Sequence, residues 1–256
     1  MARRRGILAG VDAYREIPPP PALQALVACV WVSHDGETRV LPDACVDVVF
    51  SGERLVVAGP ATAAVTAAAT PGLHRVGVRF RIGCAGAALG LPAGELRDQG
   101  VGLEELWGAE ARRVEERVRR AETRKDALLA LIGGLAPRLP RPQDLDHEVR
   151  RAVVAIAHGD ADPARRAGLS ERQLRRRFEA AVGYGPATLA RVLRFQRFLR
   201  ASAAAPEAPL ARLAADAGYA DQAHLTREAK RLSGLPPSTL LTTGATAAGE
   251  PTAAPG

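Results

Sequence analysis

Apolar positions along the chain follow two different periods. Between residues 10 and 108 they fall into short valine-rich runs, "LVACVWVS", "DACVDVVFS", "RLVVAGP" and "RVGVRFRIG", each bounded by Gly, Pro, Asp or Ser. Such runs predict strands. Alternation assigns their faces: Val76, Val78 and Phe80 point one way and Arg75, Gly77 and Arg79 the other. In the same way Val46, Val48 and Phe50 share a face, with Asp47 opposite. Several short strands with turn signals predict a β-sandwich or small barrel, entered through a stiff extended segment at Pro18–Pro21. From about Leu89 the period lengthens. Val114, Val118 and Ala121 form one helical stripe, and Leu128, Leu131, Ile132 and Leu135 another. "APRLPRPQDLD" at 136–146, with three prolines, is the best boundary in the chain. Helical spacing dominates beyond it until a small, polar tail after Thr242.

The helical part states one pattern twice. "AGLSERQLRRRFEAAVGYGP" begins at Ala167 and "AGYADQAHLTREAKRLSGLPP" at Ala217. Leu174, Arg176, Gly183 and Pro186 fall on Leu225, Arg227, Gly234 and Pro237 at an offset of 51, while the opening glycines, Gly168 and Gly218, are offset by 50. A short helical segment precedes each glycine. Asp162 is a candidate N-cap with Pro163 as first helical residue in one copy, and Pro209 opens the other, where Leu210, Leu213, Ala214 and Ala217 give an i, i+3, i+4, i+7 face. Each copy reads helix, glycine turn, helix, because the glycine permits the positive φ of a tight turn. A helix-turn-helix places its second helix in the major groove with its N-terminal residues at base edges. "PATLARVLRFQRFLRAS" between the copies is a long helix, with Leu189, Val192, Leu193 and Leu199 facing a core, that can hold two reading helices apart. The fold class expected is α+β: an N-terminal β-sandwich with helices, and a C-terminal all-α domain of two helix-turn-helix units joined by a long linker helix.

Charge supports the same division. The 256 residues carry a net charge of +7, and nearly all the positive charge is arginine. Residues 1–146 hold 19 Lys+Arg against 18 Asp+Glu, whereas residues 147–256 hold 16 against 10. The basic second part is the expected footprint for a polyanion. An apolar fraction of 47% is ample for a core. Cys29, Cys45 and Cys84 form no C-x-x-C and read as buried thiols of a reducing cytoplasm. The apolar run in "MARRRGILAG" is too short for a signal-peptide core, and no run approaches the ~20 apolar residues that span a membrane.

On "GLS…L…F…VG…P…R" followed by "A…AGY.DQ.HL.R..KR..G.PPS", residues 147–242 resemble the C-terminal domain of the AraC/XylS family of bacterial transcription regulators. "RVLPDACVDVVFS" and "VGVRFRIGCAG" are similar to the cupin-like sensor domains that precede this module in many members. The resemblance implies a strand-rich cupin-like sensor or dimerisation domain at 1–108, a helical segment and Pro-rich linker at 109–146, a double helix-turn-helix DNA-binding domain at 147–242, and a disordered tail at 243–256. It also implies double-stranded DNA and RNA polymerase as partners, a possible small-molecule effector, a possible homodimer, and cytoplasmic location without membrane attachment. Two positions depart from the family pattern: Ala229 stands where an aromatic usually precedes "KR", and Ala220 replaces a hydroxyl-bearing residue. A weaker second unit is therefore expected.

For DNA contact, the matched positions single out Arg172, Arg175 and Arg176 in the first reading helix, and Gln222 and Arg227 in the second, with His224 after them. Arginine pairs with guanine O6/N7 and glutamine with adenine N6/N7. Arg177 is expected to face solvent or phosphate. Asp43, Asp47 and Arg79 could line a polar ligand pocket, or equally form a structural ion pair. His34 and His74 could suggest a metal, but no His-x-His or facial set accompanies them, so no metal and no cofactor is expected. Ser33, His34 and Asp35 are adjacent in sequence, which is not how a triad is recognised. An enzyme on the sandwich, with the basic part as a tether, is the competing reading. The lack of a nucleophile motif or cofactor fingerprint disfavours it.

Overall fold

The structure, a computed structural model, describes residues 14–33, 38–67 and 75–242. His34, Asp35, His74 and the tail lie outside the described residues. The N-terminal strands are β1 (Tyr14–Ile17), β2 (Val27–Ser33), β3 (Thr38–Val40), β4 (Asp47–Phe50), β5 (Leu55–Ala58), β6 (Val65–Ala67), β7 (Arg75–Phe80) and β8 (Gly100–Gly102). Six of them form one antiparallel sheet in the order β1-β2-β7-β4-β5-β8, while β3 and β6 pair as a separate ribbon. The alternation read from the sequence holds. Val46, Val48 and Phe50 of β4 and its approach, and Val76, Val78 and Phe80 of β7, are all buried in one core. Helices α1 (Ala85–Leu89), α2 (Leu103–Trp107), α3 (Ala109–Arg119) and α4 (Arg124–Leu135) supply the rest of that core through Leu89, Leu103, Trp107, Val114, Val118, Leu128, Leu131 and Leu135. The helical segment of 109–135 thus belongs to the sheet's core rather than standing apart from it.

A second core unites α5 (His147–Ala157), α6 (Pro163–Ala167), α7 (Glu171–Val182), α8 (Pro186–Ala204), α9 (Leu210–Ala217), α10 (Gln222–Ser233) and α11 (Pro237–Thr242). The expected N-terminal sheet domain and C-terminal helical domain are both present. No helix among the described residues is long and apolar enough to cross a membrane.

The two units touch closely. Ala44 is buried in the helical core, and its backbone adopts φ 68°, a left-handed conformation uncommon for a residue with a side chain. Gln196 of α8 donates from Nε2 to the Pro42 carbonyl at 2.6 Å. At the end of α7, Gly183 has φ 98°, and a Cβ there would lie 2.4 Å from Cγ of Pro60 and 3.1 Å from the Ala93 carbonyl. Only glycine satisfies both the backbone and the space.

Ala229 has no exposure and packs in a core closed by Leu225, Leu232 and Leu240. Full burial of Ala229 among these leucines leaves little room for a larger side chain. Ala229→Phe is therefore expected to overpack and to destabilise by about 1–3 kcal/mol in chemical denaturation. A gain in stability would show instead that a cavity remained.

Candidate nucleic-acid interface

Each copy is a helix, a glycine turn and a helix, with one further helix packed ahead of it. In the first, α5 precedes the α6–turn–α7 pair, and in the second α8 precedes α9–turn–α10. The turns are alike: Gly168 (φ 72°) and Gly218 (φ 85°) end α6 and α9 in the left-handed conformation. An arginine from the preceding helix caps each end. Arg151 of α5 donates to the Ala167 carbonyl at 2.9 Å, and Arg197 of α8 to the Ala217 carbonyl at 3.3 Å. Both complement the negative end of a helix. Sequence reading gave these two arginines no such role, because their partners lie 16 and 20 residues away.

The second helix of each copy is started by a side-chain cap. The Ser170 hydroxyl accepts from the Gln173 N–H, and the Gln173 side-chain Oε1 accepts from the Ser170 N–H at 3.0 Å, a reciprocal capping box. Asp221 accepts from the His224 N–H at 2.6 Å. Leu174 and Phe178 anchor α7 in the core, and Leu225 and Ala229 anchor α10. The opposite face of α7 is left to solvent. Glu171, Arg172, Arg175, Arg176 and Glu179 line one shallow groove there. Arg172 and Arg176 hold no partner among the described residues, while Arg175 pairs with Glu179 at 3.4 Å. On α10, the side chains of Gln222 and Arg227 are likewise exposed and unpaired among the described residues.

Two other readings change. Arg177, expected toward solvent or phosphate, is partly exposed and engaged within the domain. It makes two 2.7 Å hydrogen bonds to the Asp146 carboxylate and one of 2.8 Å to Glu148, tying α7 to the start of α5. His224 is half-buried, edge-on to Tyr219 at 5.1 Å, with Nε2 3.8 Å from Glu228. The Glu228 carboxylate also meets Arg191 at 3.3 Å and Arg194 at 3.6 Å. Glu228 thus knits α10 to the linker helix and takes up two of its arginines. Only the i, i+4 spacing of His224 and Glu228 hinted at this in the sequence.

The pocket candidates of the sheet are brought together and bonded to one another. Asp47 and Arg79 face each other across β4 and β7. Arg79 Nε and Nη2 each lie 3.1 Å from an Asp47 oxygen, Trp31 donates to the same carboxylate at 2.9 Å, and Asp43 and Glu16 complete the set at 3.4 and 3.1 Å. Burial pushes the Asp47 carboxyl up against the pull of Arg79. Burial also lifts the nearby Cys29 thiol to about 12, so it stays protonated.

Residues 164–243 match a family model described as a helix-turn-helix domain, and residues 15–102 match one described as a domain of unknown function, DUF6597. The C-terminal unit is an AraC-type helix-turn-helix domain. With it the chain is a DNA-binding transcription regulator. No curated protein matches the sequence. Among solved structures, an apo point variant of ToxT from Vibrio cholerae strain SCE256 is similar at 12% identity and TM-score 0.44, over 84% of this chain and 97% of that one. ToxT from Vibrio cholerae O395 is similar at 11% identity and TM-score 0.42, over 84% and 96%.

Within the AraC-type domain, Asp146 both caps α5 through the Val149 N–H at 2.9 Å and holds Arg177. Burial pushes its carboxyl up, but Arg177 and the Val149 N–H outweigh this and hold it below the usual carboxylate value. A depressed folded pKa means stability that is in place above the unfolded value of about 3.9 and lost as pH falls through the folded one. Asp146→Asn, which keeps an N-cap but removes the charge that faces Arg177, is expected to lower Tm at pH 7 by the equivalent of about 0.5–1 kcal/mol, the range of a partly exposed ion pair. That gap should close as pH drops below the ordinary carboxylate value, in thermal melts run from pH 7 downward.

Proposed function

We propose that α7 and α10 enter two successive major-groove segments on one face of DNA, with α8 as the spacer between them. The 19 residues of α8 span about 28 Å at 1.5 Å per residue, comparable to the ~34 Å between successive groove segments. Arg172, Arg175 and Arg176 read bases from α7, with guanine as the preferred partner, and Gln222 and Arg227 read from α10. The observation that carries this is the contrast among the arginines. Arg172, Arg176 and Arg227, on the faces of α7 and α10 away from their core anchors, are exposed and without partners among the described residues, as are Arg165 and Arg231 elsewhere in the domain, while Arg151, Arg177, Arg191, Arg194 and Arg197 are tied to carboxylates or helix ends. The chain divides functionally at 136–146, with the double unit of 147–242 binding DNA. The sheet domain modulates it in a bacterial cytoplasm, through an effector or a second copy, and the bound regulator meets RNA polymerase.

The test is fluorescence anisotropy of the full chain on a duplex from its own upstream region, at several salt concentrations. Each phosphate neutralised steepens the slope of log K on log[salt] by about −0.9. Two seated units should give a slope of about −3.6 or steeper, reckoned at two or more phosphates each. A flat response would contradict the reading.

A further inference from the structure

The last turn of a helix leaves carbonyls without partners and carries partial negative charge. At the end of α10 these groups are met by the other domain. The Ala64 N–H, beside β6, donates to the Leu232 carbonyl at 2.7 Å. The Arg39 guanidinium of β3 donates to the Ser233 carbonyl through Nε at 3.0 Å and through Nη2. Gly234 follows with φ 74°, a conformation that favours glycine, and a Cβ there would press on the Arg39 guanidinium at 2.8 Å from Nη2.

The ribbon that carries these donors is bonded to no strand of the main sheet. Its cross-strand pair Val40 and Val65 is 42% and 51% exposed. Neither valine is buried against α10, so at the end of that helix the ribbon is attached by polar contacts, while Leu41 and Ala44, just beyond β3, anchor the following segment in the helical core. The corresponding point on α7, Gly183, is gripped differently, by close packing against Pro60 and Ala93. The repeat thus docks its two equivalent glycines on one domain, one by shape and the other by charge-assisted hydrogen bonds.

We propose that Arg39 is a positioning residue for the second reading helix: by holding the Ser233 carbonyl it sets the angle of α10 relative to α7, and so the second half-site. Arg39 itself touches no base. The inference rests on the reading that α7 and α10 both contact DNA.

The test uses the full chain with Arg39→Ala and Arg39→Lys, in a binding-site selection from a randomised duplex pool, followed by anisotropy on the wild-type duplex with either half scrambled. Arg39→Ala should keep the base preferences of the α7 half and lose those of the α10 half, with affinity down by about two- to tenfold and Tm nearly unchanged. Arg39→Lys, which keeps the charge but not the forked geometry, should recover part of the loss. If Arg39→Ala leaves both halves intact, or weakens both equally at unchanged Tm, the proposal is wrong. Should Arg39→Ala lower Tm substantially, Arg39→Lys decides: a folded Lys variant with a fully wild-type logo overturns it, and selective weakening of the α10 half sustains it. Arg176→Ala and Arg227→Ala run alongside. If neither alters the logo, the DNA reading itself has failed, and this inference with it.

Discussion

Arg79→Ala is expected to destabilise the full chain by about 3–5 kcal/mol, the range for removing one partner of a buried ion pair. Three carboxylates, Glu16, Asp43 and Asp47, lie within 3.4 Å of this one guanidinium. Without it they are left together, largely out of water, with only the Trp31 N–H as a side-chain donor to Asp47 among the described residues. Such a loss is a large fraction of a typical stability of about 5–15 kcal/mol. Arg79→Lys should rescue little, because an ammonium cannot bond Asp47 in the same two-point geometry. Asp43 also adjoins Ala44, which is inserted in the helical core, so the junction between domains should loosen together with the sheet. Urea denaturation of wild type and both variants checks this. A loss below about 1 kcal/mol, the range of an exposed pair, would mean that the cluster is solvated.

The partners in that cluster were half legible in the sequence. Alternation put Asp47 and Arg79 on the faces away from the valines, and β-pairing at the right register makes them neighbours. Local alternation does not set the register, and with the register goes the choice between an open polar pocket and a closed ion pair. The four valine-rich strands were legible because burial on one face enforces period two. β1, β3, β6 and β8 were not: they are as short as β4 and β5 or shorter, and they lack the valine-rich run that marks those two. In the helical half, the repeat announced both turns and both anchors, because those depend on local chemistry. The roles of Arg151, Arg177, Arg197 and Glu228 depend on which helices come together, and only the folded chain shows that. The exposure of Arg172, Arg175 and Arg176 was foreseeable from Leu174 and Phe178, which fix the buried face of α7.

The largest functional effect should come from the double variant Arg172→Ala with Arg176→Ala. Each bidentate arginine–guanine contact is worth about 1–3 kcal/mol of discrimination, so losing two should cost roughly 2–6 kcal/mol of specific affinity if they act independently. Both side chains project from the face of α7 opposite its core anchors and pair with nothing among the described residues, so Tm should hold. Arg227→Ala in the second unit should cost less. Its helix is anchored by Ala229 rather than an aromatic and is held from behind by polar contacts from an exposed ribbon. Anisotropy on the wild-type duplex, paired with thermal melts, separates lost contacts from lost folding. Unchanged affinity in the double variant would remove α7 from the interface.

The central claim is that one chain reads two groove segments. A binding-site selection on the full-length chain, with one protein per duplex confirmed by light scattering, measures that directly. Two base-specific half-sites about 10 bp apart are expected, with Arg176→Ala relaxing a guanine in one and Arg227→Ala altering the other. A single half-site, or a logo that neither substitution changes, would contradict the claim that α7 and α10 are the two reading helices.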